Sequence, residues 1–122
     1  MKVQCTKITD ASGQHKLTRS HRLAVGCEYV VLSIEASPGR QVSLRLVGDD
    51  KRLPALHSSD QFIIVTSDMP SNWEVQIGKN GFLELAPHSW LRAGFWEDYF
   101  DGEQTAIAAY EEARQSILAE TG

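Results

Sequence analysis

The stretch from residue 90 to residue 110 constrains the fold of this chain most. Six of the ten aromatic residues (Trp90, Phe95, Trp96, Tyr99, Phe100 and Tyr110) fall within these 21 positions. A buried aromatic removes roughly 150–250 Å² from water, so this stretch must meet a large apolar surface. Phe95, Tyr99 and Phe100 stand at the i, i+4, i+5 spacing of a helix, while Glu97 and Asp98 point elsewhere. The spacing predicts a short helix with one apolar and one acidic face, leading through Asp101-Gly102 into a terminal helix.

That terminal helix carries its own start and stripe. Asp101 sits at an N-cap position with Gln104 three residues on, a capping-box arrangement. Glu103 complements the helix dipole. Ala106, Tyr110, Ala113 and Ile117 form the apolar stripe, widened by Ile107 and Leu118. Over residues 102–119 the helix would run ~27 Å.

The rest of the chain alternates. Residues 2–8 predict a strand with Val3, Cys5 and Ile8 inward, followed by a polar, turn-rich stretch and a long excursion to Gly26. Tyr29-Val30-Val31-Leu32-Ser33-Ile34-Glu35-Ala36 predicts one continuous strand, closed by Ser37-Pro38-Gly39-Arg40. In the partner strand, Val42, Leu44 and Leu46 share one face, with Ser43 and Arg45 on the other. Residues 53–56 predict a short edge piece, because Pro54 is hardly tolerated in a central strand. Residues 61–66 predict another strand. Asn80-Gly81 between two alternating runs predicts a hairpin, with Trp73, Val75 and Ile77 on one face.

A first strand, a long loop, a hairpin, a short edge piece and a closing Phe-Ile-Ile-Val strand resemble an SH3-like small barrel over residues 2–67. The expected fold is therefore α+β in a single domain, residues 1–122. A curved antiparallel sheet or SH3-like small barrel (2–67) is followed by an extra β-hairpin (73–86) and a helical C-terminus (88–119) packed on the sheet. Trp90, Phe95, Tyr99, Tyr110 and Ile117 should be buried against sheet faces carrying Val31, Leu44 and Val75.

With 42% hydrophobic and 23% charged residues, the composition is that of a soluble globular domain. No apolar run approaches the ~20 residues of a membrane helix, and residues 1–7 lack the apolar core of a secretion signal. A cytoplasmic location with no membrane partner is expected. There, Cys5 and Cys27 are expected as reduced, small buried hydrophobes. A disulfide between them, or a metal site with His21, are the alternatives.

The charge is uneven. Residues 1–57 carry nine Lys/Arg against five Asp/Glu, a balance of +4; residues 58–122 carry three against eleven, −8. An acidic C-terminal half favours a basic protein partner over nucleic acid. His15, Lys16, Arg19, His21 and Arg22 form a basic patch without interleaved aromatics, a weak nucleic-acid signal.

Catalytic patterns are missing from the sequence. The four histidines (His15, His21, His57, His88) are scattered, no nucleophile has a nearby activating partner, and the glycines mark turns. Glu97, Asp98, Asp101 and Glu103 match no calcium loop. The expectation is a protein that is not an enzyme and uses no cofactor or metal.

The run from Pro70-Ser71-Asn72-Trp73 to Gly94-Phe95-Trp96-Glu97-Asp98-Tyr99-Phe100-Asp101-Gly102, followed by an Ala/Glu-rich helix, resembles a group of small bacterial immunity proteins. The likeness spans residues 28–118. Such proteins are encoded beside polymorphic or contact-dependent growth-inhibition toxins and block the toxin domain by binding it. The resemblance implies toxin neutralisation through protein–protein contact. It carries no site residues with it, because such families share none. Many delivered toxins are nucleases, which present basic residues to a phosphate backbone, so an acidic complement is expected to make contact. Its candidates are Asp49, Asp50, Asp68, Glu97, Asp98 and Asp101. The alternative is an SH3-like module binding nucleic acid or ribosome-associated partners through the basic residues of 15–22.

Overall fold

The computed structural model describes residues 1–9, 16–20, 22–51 and 53–121. Among the described residues, ten strands precede two helices: β1 (Lys2–Cys5), β2 (Ile8–Thr9), β3 (Lys16–Leu17), β4 (Glu28–Val30), β5 (Ser33–Ala36), β6 (Ser43–Leu46), β7 (Ala55–Ser58), β8 (Phe62–Thr66), β9 (Trp73–Ile77) and β10 (Leu83–Pro87), then α1 (Phe95–Phe100) and α2 (Gln104–Thr121). Short 3₁₀ turns, Ser59–Gln61 and His88–Trp90, precede β8 and follow β10. All ladders are antiparallel, in a three-stranded sheet β4-β1-β8, a five-stranded sheet β7-β6-β5-β10-β9 and the β2-β3 pair. The fold is α+β, with curved sheets and C-terminal helices; among the described residues the strands close no barrel.

The continuous run 29–36 is two strands. Val31 N–H donates to the Met1 carbonyl at 3.0 Å, in the first sheet, whereas Leu32 N–H donates to the Arg45 carbonyl at 2.8 Å, in the second. The chain changes sheets between these residues, and their side chains diverge into two cores. Val31 joins Val3, Cys5, Tyr29, Leu44, Leu46 and Phe62 between the sheets. Leu32 joins Ala86, Trp90, Phe95, Tyr99, Tyr110 and Ile117 beneath the helices. The five-stranded sheet is thus the middle layer of three, apolar burial being available on both faces.

That arrangement corrects two expectations about faces. The aromatics and Ile117 are buried as expected, but against the face carrying Ala86, Glu84 and Arg45, while Val31 and Leu44 belong to the other core. Val75 is 58% exposed and Val42 also lies open, because the hairpin and the strand end extend past the first core. Arg45, on the face opposite Leu44, is 5% exposed.

The long excursion 9–26 is in part a loose hairpin: β2 pairs with β3, and Arg19 bridges Ala24. It is fastened to the turn after β6. Ala24 N–H donates to the Tyr29 hydroxyl (2.9 Å), which donates to Asp49 Oδ2 (3.0 Å), and Asp49 N–H donates to the Arg22 carbonyl (2.6 Å). Gly48 permits this approach, since a Cβ there would collide with the Arg22 carbonyl.

The hairpin is tied to both neighbours. Trp73 Nε1 donates to the Leu32 carbonyl at 3.0 Å, and Asn72 Nδ2 to the Ala113 carbonyl at 3.2 Å. In α2, Ala106, Tyr110 and Ile117 are buried, with Ala113 half-buried on the same stripe. Its cap differs from expectation. The Glu103 carboxylate accepts from Thr105 N–H and Ala106 N–H, both at 2.9 Å. Asp101 lies at the C-cap of α1.

Candidate interaction surface

The short helix α1 is held by a charged pair that its sequence does not announce. Arg45, from β6, donates to Glu35 Oε1 of β5 at 3.1 Å, and its guanidinium lies 3.8 Å from the centroid of the Trp96 ring. Glu84 of β10 is the register partner of Glu35 and is also buried. Burial, with the Glu35 charge beside it, pushes the Glu84 carboxyl up to about 6 against the pull of Arg45. Burial draws the Arg45 guanidinium down, opposed by Glu35. A cation paired with Glu35, whose strand separates it from Glu84, and roofed by an indole fixes Trp96 and with it the orientation of α1.

Phe95 and Tyr99 enter the core on the inner side of α1. Trp96, half-buried, packs edge-on against Trp90, Phe95 and Tyr99. Phe100 stands one residue beyond Tyr99, about 100° round the helix, and is 49% exposed. Glu97 and Asp101 are exposed beside it in sequence, and Asp98 is half-buried in an ion pair with Arg92 Nη2 at 2.9 Å. With α2 capped by Glu103, the Asp101 carboxylate is left on the surface. The outward side of α1 therefore presents a half-open aromatic ring among acids, on a rigid support.

The six acidic candidates occupy three places. Glu97, Asp98 and Asp101 are together on α1 and its C-terminus. Asp49 and Asp50 lie in the β6–β7 turn, where Asp49 is bonded to Tyr29. Burial, together with the Asp49 bond and charge, pushes the Tyr29 hydroxyl up to about 12, against the pull of the Ala24 N–H. Asp49 borders an open cleft of about 340 Å³ lined also by Glu28, Lys51, Arg114 and Leu118. Its charge is mixed. Asp68 is exposed near the Met1 amino group and Glu120, which accepts from Ser71 N–H and Oγ.

His57 packs against Phe62, and burial, helped by Arg22, lowers its pKa. His88 Nδ1 lies 3.0 Å from Glu74 at the surface. His15 and His21 lie outside the described residues. Cys5 is buried as expected, but Cys27 is exposed; both are free thiols. Among the described residues no group of three His, Cys, Asp or Glu side chains could hold a metal ion. No helix among them is long and apolar enough to cross a membrane. Of the basic loop, Arg22 donates to the Leu53 carbonyl at 3.3 Å and Arg19 is exposed.

Phe100, expected on the apolar face of the short helix with Phe95 and Tyr99, is instead half-exposed, and the Arg45–Glu35–Glu84 group was not read in the sequence as a unit. Helical phase marks Phe100, since it falls off the Phe95–Tyr99 face. Arg45 had no comparable sign, because its burial depends on the helices covering the far face of the sheet. Comparison with protein-family models, curated proteins and solved structures returned no match.

Proposed function

We propose that this protein neutralises a bacterial toxin domain by binding it, without catalysis or cofactor, and that the outward side of α1 is the contact. The observation that carries this reading is Phe100, a half-exposed aromatic flanked by Glu97 and Asp101 on a helix anchored through Trp96 and Arg45. Aromatic side chains on rigid supports anchor protein interfaces, while surrounding charges steer the encounter and select the partner. The carboxylates fit a basic partner, and a nuclease toxin is the class that must be basic where it holds phosphate. The immunity-protein resemblance of residues 94–102 points to the same partner.

The test is protection. Cells expressing the toxin domain from a reading frame beside this gene should survive with the wild-type protein. They should lose that protection with Phe100→Ala, Glu97→Gln and Asp101→Asn combined, the variant remaining folded. Protection by the triple variant would remove α1 as the contact. Tight, salt-sensitive RNA or DNA binding that disappears when Lys16, Arg19 and Arg22 are neutralised would replace the reading with a nucleic-acid module.

A further inference from the structure

Strand β9 closes one end of the five-stranded sheet, with β10 on one side and no strand on the other among the described residues. Its five residues pair with β10 in one unbroken register, from Trp73↔Pro87 to Ile77↔Leu83. Natural edges are kept from templating another strand by bulges, proline or lysine, and residues 73–77 have none of these. Their one charge, Glu74, stands on the helix side, 3.0 Å from His88 Nδ1.

The backbone of this edge is open. Gly78 N–H donates to the Phe82 carbonyl at 2.7 Å. Alternation along the ladder then bonds Gln76 and Glu74 to β10 and turns the polar groups of Val75 and Ile77 outward. Neither N–H has another acceptor among the described residues. Trp73 N–H is taken by the Pro70 carbonyl at 3.2 Å, but the Trp73 carbonyl also points outward. On the face away from the helices, Val75 and Ile77 are 58% and 69% exposed and continue into Leu85 and Leu83, their half-buried register partners.

This edge is complementary to itself. Paired antiparallel about Val75, two copies set Val75 opposite Val75, Ile77 opposite Trp73 and Glu74 opposite Gln76. Outward groups then meet outward groups: the Val75 and Ile77 N–H groups of each copy face the Val75 and Trp73 carbonyls of the other. Each Glu74 carboxylate faces a neutral amide, and Lys79 faces Ser71. Moving the centre to Glu74 would oppose two carboxylates, which is unfavourable, so charge selects the register. Residues 69–81 carry one glutamate and one lysine; with no net charge they offer nothing to the basic partner that suits α1. We infer that β9 is a self-association edge, through which two copies of this protein join their five-stranded sheets about a twofold axis at Val75. Val75, Ile77, Leu83 and Leu85 of both copies then form one apolar band. The inference stands apart from toxin binding, since it requires neither the acidic helix nor a toxin.

The test is sedimentation of the full-length protein over about three decades of concentration, up to the millimolar range. The mass should rise from monomer to dimer. Amide exchange at Val75 and Ile77 should slow by about tenfold or more as the dimer fills, with a smaller change at Gln76, which is already bonded to β10. Val75→Lys puts like charges on the axis at a side chain that is already exposed, and should weaken the dimer by about tenfold; Val75→Glu should do the same. Mixing these two variants in equal amounts should restore the dimer. The wild-type mass and exchange measurements stand whether or not the variants fold. A monomer throughout, a dimer whose Val75 and Ile77 amides exchange as in the monomer, undiminished dimerisation of Val75→Lys, or a mixture that stays monomeric would each overturn the proposal. So would slowing of these amides only when a different protein, such as the toxin domain, is added, which would assign the edge to that partner.

Discussion

Arg45 shows how one residue reports the layer above it. Alternation along β6 puts it opposite Leu44, where an ordinary two-layer fold would expose it. The helices cover that face, so the guanidinium is buried and takes Glu35 and the Trp96 ring as partners. Removing one member of a buried pair leaves uncompensated charge, so Arg45→Ala should lower unfolding stability by roughly 3–5 kcal/mol. Chemical denaturation measures it; a loss under about 1 kcal/mol, the range of exposed ion pairs, would contradict the burial. Glu84 gives the opposite sign. Its folded pKa, about 6, lies above its ordinary 4.5, so the folded state holds the proton more tightly. The stability this contributes is complete below 4.5 and is lost as pH rises through 6. Relative to wild type, Glu84→Gln should therefore be about 2 kcal/mol more stable at pH 8 than at pH 4. Urea unfolding at the two pH values checks this, and a relative loss at pH 8 would contradict it.

Among the elements, α1 and α2 were the most legible in the sequence. Helical period alone located Phe95, Tyr99, Tyr110 and Ile117 on buried faces, and Phe95→Ala should cost about 3–5 kcal/mol. Denaturation within a few tenths of wild type would place Phe95 outside the core. The cap was not legible, because Asp101 is the residue type the local rule prefers, and only the true start of α2 at Gln104 makes the Glu103 carboxylate the acceptor of its first N–H groups. Glu103→Ala should lower the thermal midpoint, whereas Asp101→Ala should leave it nearly unchanged; the reverse order would restore the capping box at Asp101. Strand alternation was legible, but not which face was the core, since the middle sheet buries apolar groups on both. That is why Val75, expected on a covered face, is exposed, and why Arg45, on the face opposite Leu44, is buried. The bend at residues 31–32 was hidden for a related reason: consecutive valine and leucine side chains entering two different cores read as one uninterrupted strand.

Across the whole molecule, the acidic excess of residues 58–122 does not collect into one patch. It divides between α1, the surroundings of Asp68 and the exposed side of α2, while Asp49 is bonded within the fold. Net charge supports the basic partner of the proposed function and says little about the place of contact, which depends on packing. The two come together at Phe100, where an exposed ring and free carboxylates share a helix fastened from below. The direct test of the proposed function is titration of a toxin domain from a reading frame neighbouring this gene, at low and raised salt, with wild type and the Phe100→Ala, Glu97→Gln, Asp101→Asn variant; a neighbourhood without one would contradict it. The account predicts that the variant binds at least about 30-fold more weakly, as loss of an anchor worth 2 kcal/mol or more requires. Its residual binding should also depend less on salt than that of the wild type. Equal affinity and equal salt dependence would contradict it.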